Sequence, residues 1–268
     1  MREAVIVSTA RTPLTKSHRG EFNATSGPQL AAYSVKAAVE RSGIDPALFE
    51  DLIMGCGYPE GITGKNIGRQ AVLRAGLPLS VAGTTVNRFC ASGLQAIAIA
   101  AGRIVAEGVP AMLAGGVESI SAIRPGVPAD IDPWLQEHKP ALYMAMIDTA
   151  DIVASRYGIS REDQDAFSLE SQMRTAAAQA KGLFDDEIVP CATRMAEKNK
   201  ETGEVTLRDV VATKDNCNRA STTLEALAKL EPVKGPGQFV TAGNASQLSD
   251  GSSACVLMEA KEAERLGL

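Results

Sequence analysis

Short runs of β-branched residues alternate with helical patterns through the first 120 residues, and this alternation constrains the fold more than any other feature of the sequence. Strands are predicted at 4–7, 51–55, 84–87 and 110–114, and helices at 29–41, 67–75 and 93–106. Strands that alternate with helices form βαβ units, in which helices cover both faces of the sheet. We therefore predict an α/β fold with a mixed, mainly parallel sheet.

The alternation stops after Gly116, and the next hundred residues have a different character. Residues 120–148 are rich in Pro, irregular in pattern and contain the single Trp. The elements predicted after them are helices at 151–157, 161–180 and 224–230 and strands at 204–211 and 254–258. The chain is thus predicted to have an α/β core at 1–119 and 241–268, interrupted by an α-rich insertion at 120–240. Such insertions usually shape ligand sites.

Charge and cysteine content exclude several classes of partner. With 27 basic and 32 acidic residues the net charge is −5, which argues against nucleic acid as the main partner. Five cysteines without a C-x-x-C pair predict free thiols in a reducing compartment and no metal site. No signal peptide precedes the first strand, and no stretch approaches the roughly 20 apolar residues of a membrane helix. A cytoplasmic protein without a membrane span is expected.

One cysteine lies where a nucleophile could be activated. Cys90 occupies a tight turn between the strand at 84–87 and the apolar helix at 93–106, which we expect to be buried on most sides. A thiol there faces the positive end of the helix dipole, beside unpaired backbone N–H groups. Both favour the nucleophilic thiolate, and the same N–H groups can stabilise an oxyanion. Core packing is the alternative for Cys90, and the better interpretation for Cys56, Cys191, Cys217 and Cys255.

Four further segments stand out, in this order along the chain: AVIVSTARTP at 4–13, NRFCASGLQAI at 87–97, AGGVESIS at 114–121 and TAGNASQLSDGSSA at 241–254. Together these four segments resemble the thiolase family. The helix that begins in GISREDQDAF at 158–167 is similar to that family's inserted loop domain. The resemblance covers the whole chain, and it implies a layered α-β-α core with a CoA-binding, α-rich loop domain.

The resemblance also implies an activity. It is that of a CoA-dependent acyltransferase in which Cys90 holds the acyl group as a thioester, with its own backbone N–H in the oxyanion hole. CoA and acyl-CoA would be substrates, and no permanently bound cofactor is implied. Arg219 aligns with an arginine at the nucleotide end of CoA, Ser246 with a serine that bonds the pantetheine, and Met146 with a methionine lining the pantetheine tunnel. The alternative interpretations are a solvated surface charge for Arg219, a turn residue for Ser246 and a core-packing residue for Met146. A homodimer or homotetramer is implied.

Departures from the family pattern limit these expectations. Asp151 and Ile152 stand where many thiolases have Glu-Asn, and Ala145 where biosynthetic acetoacetyl-CoA enzymes often have His, so acyl chain length stays open. The family's catalytic His, its water-positioning Asn and its second Cys belong to a carboxyl-terminal half whose motifs these 268 residues do not contain. Neither His18 nor His138 lies in a matching motif. We therefore expect an amino-terminal half with little turnover alone.

Three other functions compete with thiolysis or Claisen condensation. One is another condensing enzyme of the superfamily, of the ketosynthase or hydroxymethylglutaryl-CoA synthase type, although these usually lack the long loop domain. The second is a non-catalytic protein that binds acyl-CoA or lipid. The third and weakest is a dinucleotide-binding protein, because Gly115-Gly116 does not form the G-x-G-x-x-G pattern.

Overall fold

Strands and helices alternate along the first part of the chain in the computed structural model, which describes residues 2–123 and 131–268. In chain order the elements are β1 (Ala4–Arg11), β2 (Thr15–Lys16), α1 (Gly27–Ser42), β3 (Phe49–Gly55), α2 (Ile67–Arg74), β4 (Ala82–Val86), α3 (Ser92–Gly102), β5 (Ala111–Ser119), α4 (Pro133–His138), α5 (Met146–Tyr157), α6 (Arg161–Ala180), β6 (Cys191–Lys198), β7 (Val205–Ala212), α7 (Leu224–Ala228), β8 (Ser249–Glu259) and α8 (Ala260–Leu266). Every strand and helix predicted from the sequence is confirmed, with ends shifted by a few residues.

The main sheet is mixed. Its strand order is β1-β8-β5-β3-β4, and the short β2 pairs with β8. β3 is parallel to β4 and β5, whereas β8 is antiparallel to β1, β2 and β5. The α/β class is confirmed, but fewer pairings are parallel than predicted, because β8 enters from far along the sequence between β1 and β5.

Helices cover both faces of this sheet. On one face α1 buries Leu30 and Val35, and α2 buries Val72, in the same cluster as the strand residues Leu52 and Leu113. On the other face α3 packs against Ile53, Met112 and Leu257. The ends of α1 follow from local sequence, since Ser26 accepts a hydrogen bond from the N–H of Gln29 and Gly43 ends the helix at φ 66°.

The apolar helix α3 is less buried than expected. Ser92, Ala96 and Ala100 face the sheet, but the side chain of Leu94 is 73% exposed. The prediction of a helix buried on most sides is therefore wrong, because the sheet covers only one side of it. The segment Phe89–Glu107, with a mean hydropathy of 1.6, is long and apolar enough to cross a membrane, so the sequence does contain one stretch near that length. Core helices of soluble proteins meet the same criteria of length and composition, so this segment is weak evidence for a membrane span.

The chain divides into two compact units. The sheet unit comprises the described residues of Met1–Arg124, Phe184–Cys217 and Leu248–Leu268; the helical unit comprises those of Pro125–Leu183 and Asn218–Gln247. The β6–β7 hairpin thus belongs to the sheet unit. There the hydroxyl of Thr193, in β6, forms a hydrogen bond of 2.6 Å with the hydroxyl of Thr25. The predicted domain bounds at 120 and 240, and the CoA-binding role of the insertion, stay predictions.

The helical unit contains α4, α5, α6 and α7. Ser160 caps α6 by accepting a hydrogen bond from the N–H of Asp163, and Thr223 caps α7 in the same way through Ala226. Part of the stretch predicted to be irregular, at 124–130, lies outside the described residues. Beyond it, Pro133–His138 forms α4, where no helix is predicted.

Candidate functional site

Cys90 lies in a tight turn whose shape is held by its neighbours. Phe89 has a φ of 48°, a left-handed conformation that is strained for a bulky residue, and its N–H donates to Oδ1 of Asn87 at 2.8 Å. The Ser92 hydroxyl donates to the carbonyl of Phe89 at 2.6 Å and accepts from the N–H of Arg88 at 2.8 Å. The turn therefore leaves Cys90 exposed at the start of α3.

The beginning of α3 offers unpaired hydrogen-bond donors. Its N-cap is Ala91, whose side chain cannot cap the helix. Within the described part of the chain, the N–H groups of Gly93 and Leu94 have no acceptor. These N–H groups and the helix dipole give this end of α3 a partial positive charge, which favours anions. The nucleophile and the oxyanion of an acyl transfer are both anionic.

Close approach of β3 fixes where α3 begins. A Cβ atom on Gly55, the last residue of β3, would lie 2.5 Å from the carbonyl carbon of Ser92 and 2.7 Å from the N of Gly93. Only glycine leaves room for the helix backbone at that distance. The end of β3 therefore sets the position of the first turn of α3, and with it that of the Cys90 turn.

The other four cysteines are in surroundings that disfavour a thiolate. Burial raises the pKa of the Cys191 thiol to about 12 and that of Cys255 to about 11. Burial, and then the charge of Glu118, raise the pKa of Cys56 to about 12. Burial also raises the pKa of Cys217. Cys90 is exposed and Cys217 is half-buried, so Cys90 is the thiol that reagents and substrates reach most directly.

Among the described residues, neither histidine is a hydrogen-bond partner of the Cys90 turn. His18 is an exposed residue of the sheet unit at φ 62°, and its backbone N–H donates to the Ser121 hydroxyl at 2.6 Å. His138 is in the helical unit, where its ring stacks on Trp134 at 4.4 Å between centroids. Across residues 2–123 and 131–268 no group of three or more His, Cys, Asp or Glu could hold a metal ion.

The three residues predicted to contact CoA all belong to the helical unit. Met146 begins α5 and is 77% exposed. Arg219 is exposed and donates its backbone N–H to Oε1 of Gln172 at 2.7 Å. Ser246 is exposed, and its hydroxyl donates only a long bond of 3.4 Å to the carbonyl of Gln247. All three side chains are thus accessible, and their roles stay predictions, as does that of Cys90.

The comparison with protein families decides the identity of the fold. The model described as "Thiolase, N-terminal domain" matches residues 4–261. The chain belongs to the thiolase family. It is 41% identical over 275 residues to a 3-ketoacyl-CoA thiolase of Bacillus subtilis, and the match covers all of this chain and 68% of that protein. The family and fold predicted from the four motifs are confirmed.

Two further relatives of similar identity are named for other CoA thioesters. A beta-ketoadipyl-CoA thiolase of Pseudomonas aeruginosa is 39% identical over 287 residues, and an acetyl-CoA acetyltransferase of Cupriavidus necator is 37% identical over 282 residues. Each match covers the whole of this chain, and 68% and 69% of the respective relative. This thiolase chain therefore spans about two thirds of the length of these relatives.

One residue behind the Cys90 turn has a role that sequence reasoning missed. Glu118, in the Gly-Gly-Val-Glu-Ser block of this thiolase, accepts hydrogen bonds from the N–H of Gly57 at 2.8 Å and of Tyr58 at 3.3 Å. The Cys56 thiol donates to the same carboxylate at 3.6 Å. A Cβ on Gly57 would lie 3.6 Å from the Phe89 backbone, so this segment backs the turn. The signal available was a carboxylate at the end of an otherwise apolar strand.

Proposed function

We propose that this chain carries the acyl-accepting site of a CoA-dependent acyltransferase of the thiolase type. The observation that carries the proposal is the exposed Cys90 thiol at the uncapped start of α3. Burial raises the pKa of each of the four other thiols, whereas Cys90 lies beside free N–H donors. Membership of the thiolase family supports the same assignment.

The proposed chemistry forms one thioester and breaks one bond of the substrate. With an acyl-CoA, the Cys90 thiolate adds to the carbonyl carbon, the bond from that carbon to the CoA sulfur breaks, and the CoA thiolate takes up a proton. With a 3-ketoacyl-CoA, the thiolate adds to the 3-keto carbon, the bond between C2 and C3 breaks, and acetyl-CoA leaves after its C2 is protonated. Free CoA then takes the acyl group from Cys90. The condensation runs these steps in reverse.

The oxyanion formed at the carbonyl needs donors aimed at it. We assign the backbone N–H of Cys90 to that role, within the positive field of the start of α3. Proton transfer at the α-carbon needs a separate acid or base, and within residues 2–123 and 131–268 neither histidine is hydrogen-bonded to Cys90. The 268 residues should therefore form the acyl-cysteine faster than they complete a cycle.

Recognition of CoA is assigned to the helical unit. We assign Arg219 to the nucleotide end, Ser246 to the pantetheine and Met146 to the wall of the pantetheine tunnel, on the resemblance and on the exposure of these side chains. The relatives are named for 3-ketoacyl-CoA, beta-ketoadipyl-CoA and acetyl-CoA, so the proposed substrate class is a CoA thioester of open chain length. A cytoplasmic homodimer or homotetramer completes the proposal.

Acylation of the purified chain by acetyl-CoA tests the proposal. Intact mass and peptide mass spectrometry should find one acetyl group, bound through a hydroxylamine-sensitive thioester to Cys90. The matched controls are Cys90→Ser, which should remain unmodified, and Cys217→Ser, which should acylate normally. Saturable CoA binding without acylation would instead favour a non-catalytic acyl-CoA-binding protein. Acylation at another cysteine would contradict the role of Cys90.

A further inference from the structure

The loop that presents Ser246 is closed by a reciprocal pair of side chains. The N–H of Thr241 donates to Oδ1 of Asn244 at 2.7 Å, while the Thr241 hydroxyl accepts from the N–H groups of Gly243 and Asn244, both at 3.2 Å. Thr241 is fully buried. The backbone between these two residues is therefore held in one shape, and Ser246 follows two residues later.

A buried carboxylate of α6 holds the amide of this turn. Nδ2 of Asn244 donates to Oδ1 of Asp165 at 3.0 Å and to the carbonyl of Phe239 at 3.1 Å. Asp165 is only 2% exposed, and its other oxygen accepts from Nε of Arg161 at 2.8 Å. Arg161 also donates to the carbonyls of Leu227 and Leu230 at the end of α7. The carboxylate has its charge and both its oxygens satisfied, so its position is well determined.

A second buried carboxylate, from α5, anchors the start of the same loop. Oδ1 of Asp151 accepts from the N–H of Phe239 at 2.9 Å and from that of Val240 at 3.1 Å. Asp151 is 5% exposed. Asp151 and Phe239 also line a groove of about 750 Å³ together with Arg156 and Lys234, and that volume is within the range of small-molecule sites. The loop therefore borders ligand-sized space.

We propose that Asn244 is a positioning residue for Ser246, with Asp165 as its anchor and Asp151 as the anchor of residues 239 and 240. This inference rests on the proposed function, because it names what orders the pantetheine contact of the same site. The buried bonds hold the loop in its binding shape before CoA arrives, so binding does not have to order it. Ser246 can then offer its hydroxyl from a fixed backbone.

The central variant is Asn244→Asp, which keeps the shape of the side chain but places a carboxylate oxygen against Asp165 and the Phe239 carbonyl. We expect CoA to bind about three- to tenfold more weakly to Asn244→Asp, to Ser246→Ala, and to the variant carrying both changes. The double variant should lose no more CoA affinity than whichever single variant binds CoA more weakly. Once Ser246→Ala has removed the hydroxyl, a residue that acts only through Ser246 has nothing left to position. Titration calorimetry with CoA measures all three dissociation constants.

Two controls separate positioning from general damage. Gln164→Glu makes the same amide-to-carboxylate change in α6, where the amide bonds only the local carbonyls of Ile159 and Ser160, and it should leave CoA binding unchanged. The exchange variant carries both Asn244→Asp and Asp165→Asn. It restores the hydrogen bond between the two positions in the opposite direction, with the amide at position 165 donating to the carboxylate at position 244. It should recover most of the lost affinity.

A measurement on the unmutated chain covers the case in which Asn244→Asp does not fold. Without CoA, the amides of Phe239, Val240 and Thr241 should already exchange slowly with solvent, and CoA should slow them little further. Fast exchange that only CoA suppresses would overturn the inference, as would wild-type affinity in Asn244→Asp or additive losses in the double variant. Absence of CoA binding in the unmutated chain would overturn the proposed function itself, together with this inference.

Discussion

The contact between the end of β3 and the start of α3 should make Gly55 intolerant of even one added methyl group. In Gly55→Ala the new Cβ would lie 2.5 Å, 2.6 Å and 2.7 Å from three backbone atoms of Ser92 and Gly93. Favourable contacts between such atoms lie near 3.5 Å, so the helix backbone must move by about 1 Å. Overpacking typically costs about 1–3 kcal/mol. We expect about 3 kcal/mol here, because backbone atoms cannot rotate away as a side chain can.

The matched control is Gly102→Ala, at the other end of α3, where an added Cβ would meet nothing within 4 Å. There the same change should stabilise the protein by about 0.5–1 kcal/mol. Alanine has a higher helix propensity than glycine, and it makes the unfolded chain less flexible, so that less conformational entropy is lost on folding. Urea unfolding followed by circular dichroism measures both free energies. The reasoning fails if Gly55→Ala unfolds at the wild-type midpoint, or if Gly102→Ala is the more damaging of the two.

Two further predictions concern charge and protonation. The free energy of unfolding should fall as pH rises from 9 towards 12, because buried thiols such as Cys191 keep protons that the unfolded chain releases near pH 9. Each such thiol contributes about 1.4 kcal/mol per pH unit, so Cys191→Ala should show a shallower decline in urea unfolding, and an unchanged decline would contradict this. Asp215→Asn should cost about 2 kcal/mol, since Asp215 binds the half-buried Arg11 through two bonds of 2.8 and 2.9 Å. Glu197→Gln, which breaks an exposed pair with Arg208, should cost less than about 0.5 kcal/mol; equal costs would refute the distinction.

Local signals in the sequence predicted the elements well, and the pairing of those elements poorly. The ends of α1 follow from Ser26 and Gly43, which act within one turn of the chain. The antiparallel entry of β8 between β1 and β5 depends on a partner more than a hundred residues away, and alternation of apolar residues does not name that partner. The exposure of Leu94 was missed for a related reason, because an apolar helix side is buried only where another element covers it.

The candidate site divides in the same way. The strand-turn-helix setting of Cys90 was predictable, since its strand, turn and helix are contiguous in sequence. The buried roles of Asp151 and Asp165 were not, because acidic residues at helical spacing usually indicate a solvated face. Their burial depends on hydrogen bonds to a loop about 80 residues further along the chain. Pairing of that kind leaves no local pattern.

The central position of β8 has a consequence for how the protein folds during its synthesis on the ribosome. β8 is the last strand to be synthesised among those described, yet it pairs along both β1 and β5. Until residues 249–259 emerge, β1 lacks its partner and one edge of β5 is unpaired, and exposed strand edges invite aggregation. The sheet must therefore close late and through long-range contacts, which slows folding. Nascent chains of this protein should depend on chaperones until residue 259 has emerged from the ribosome.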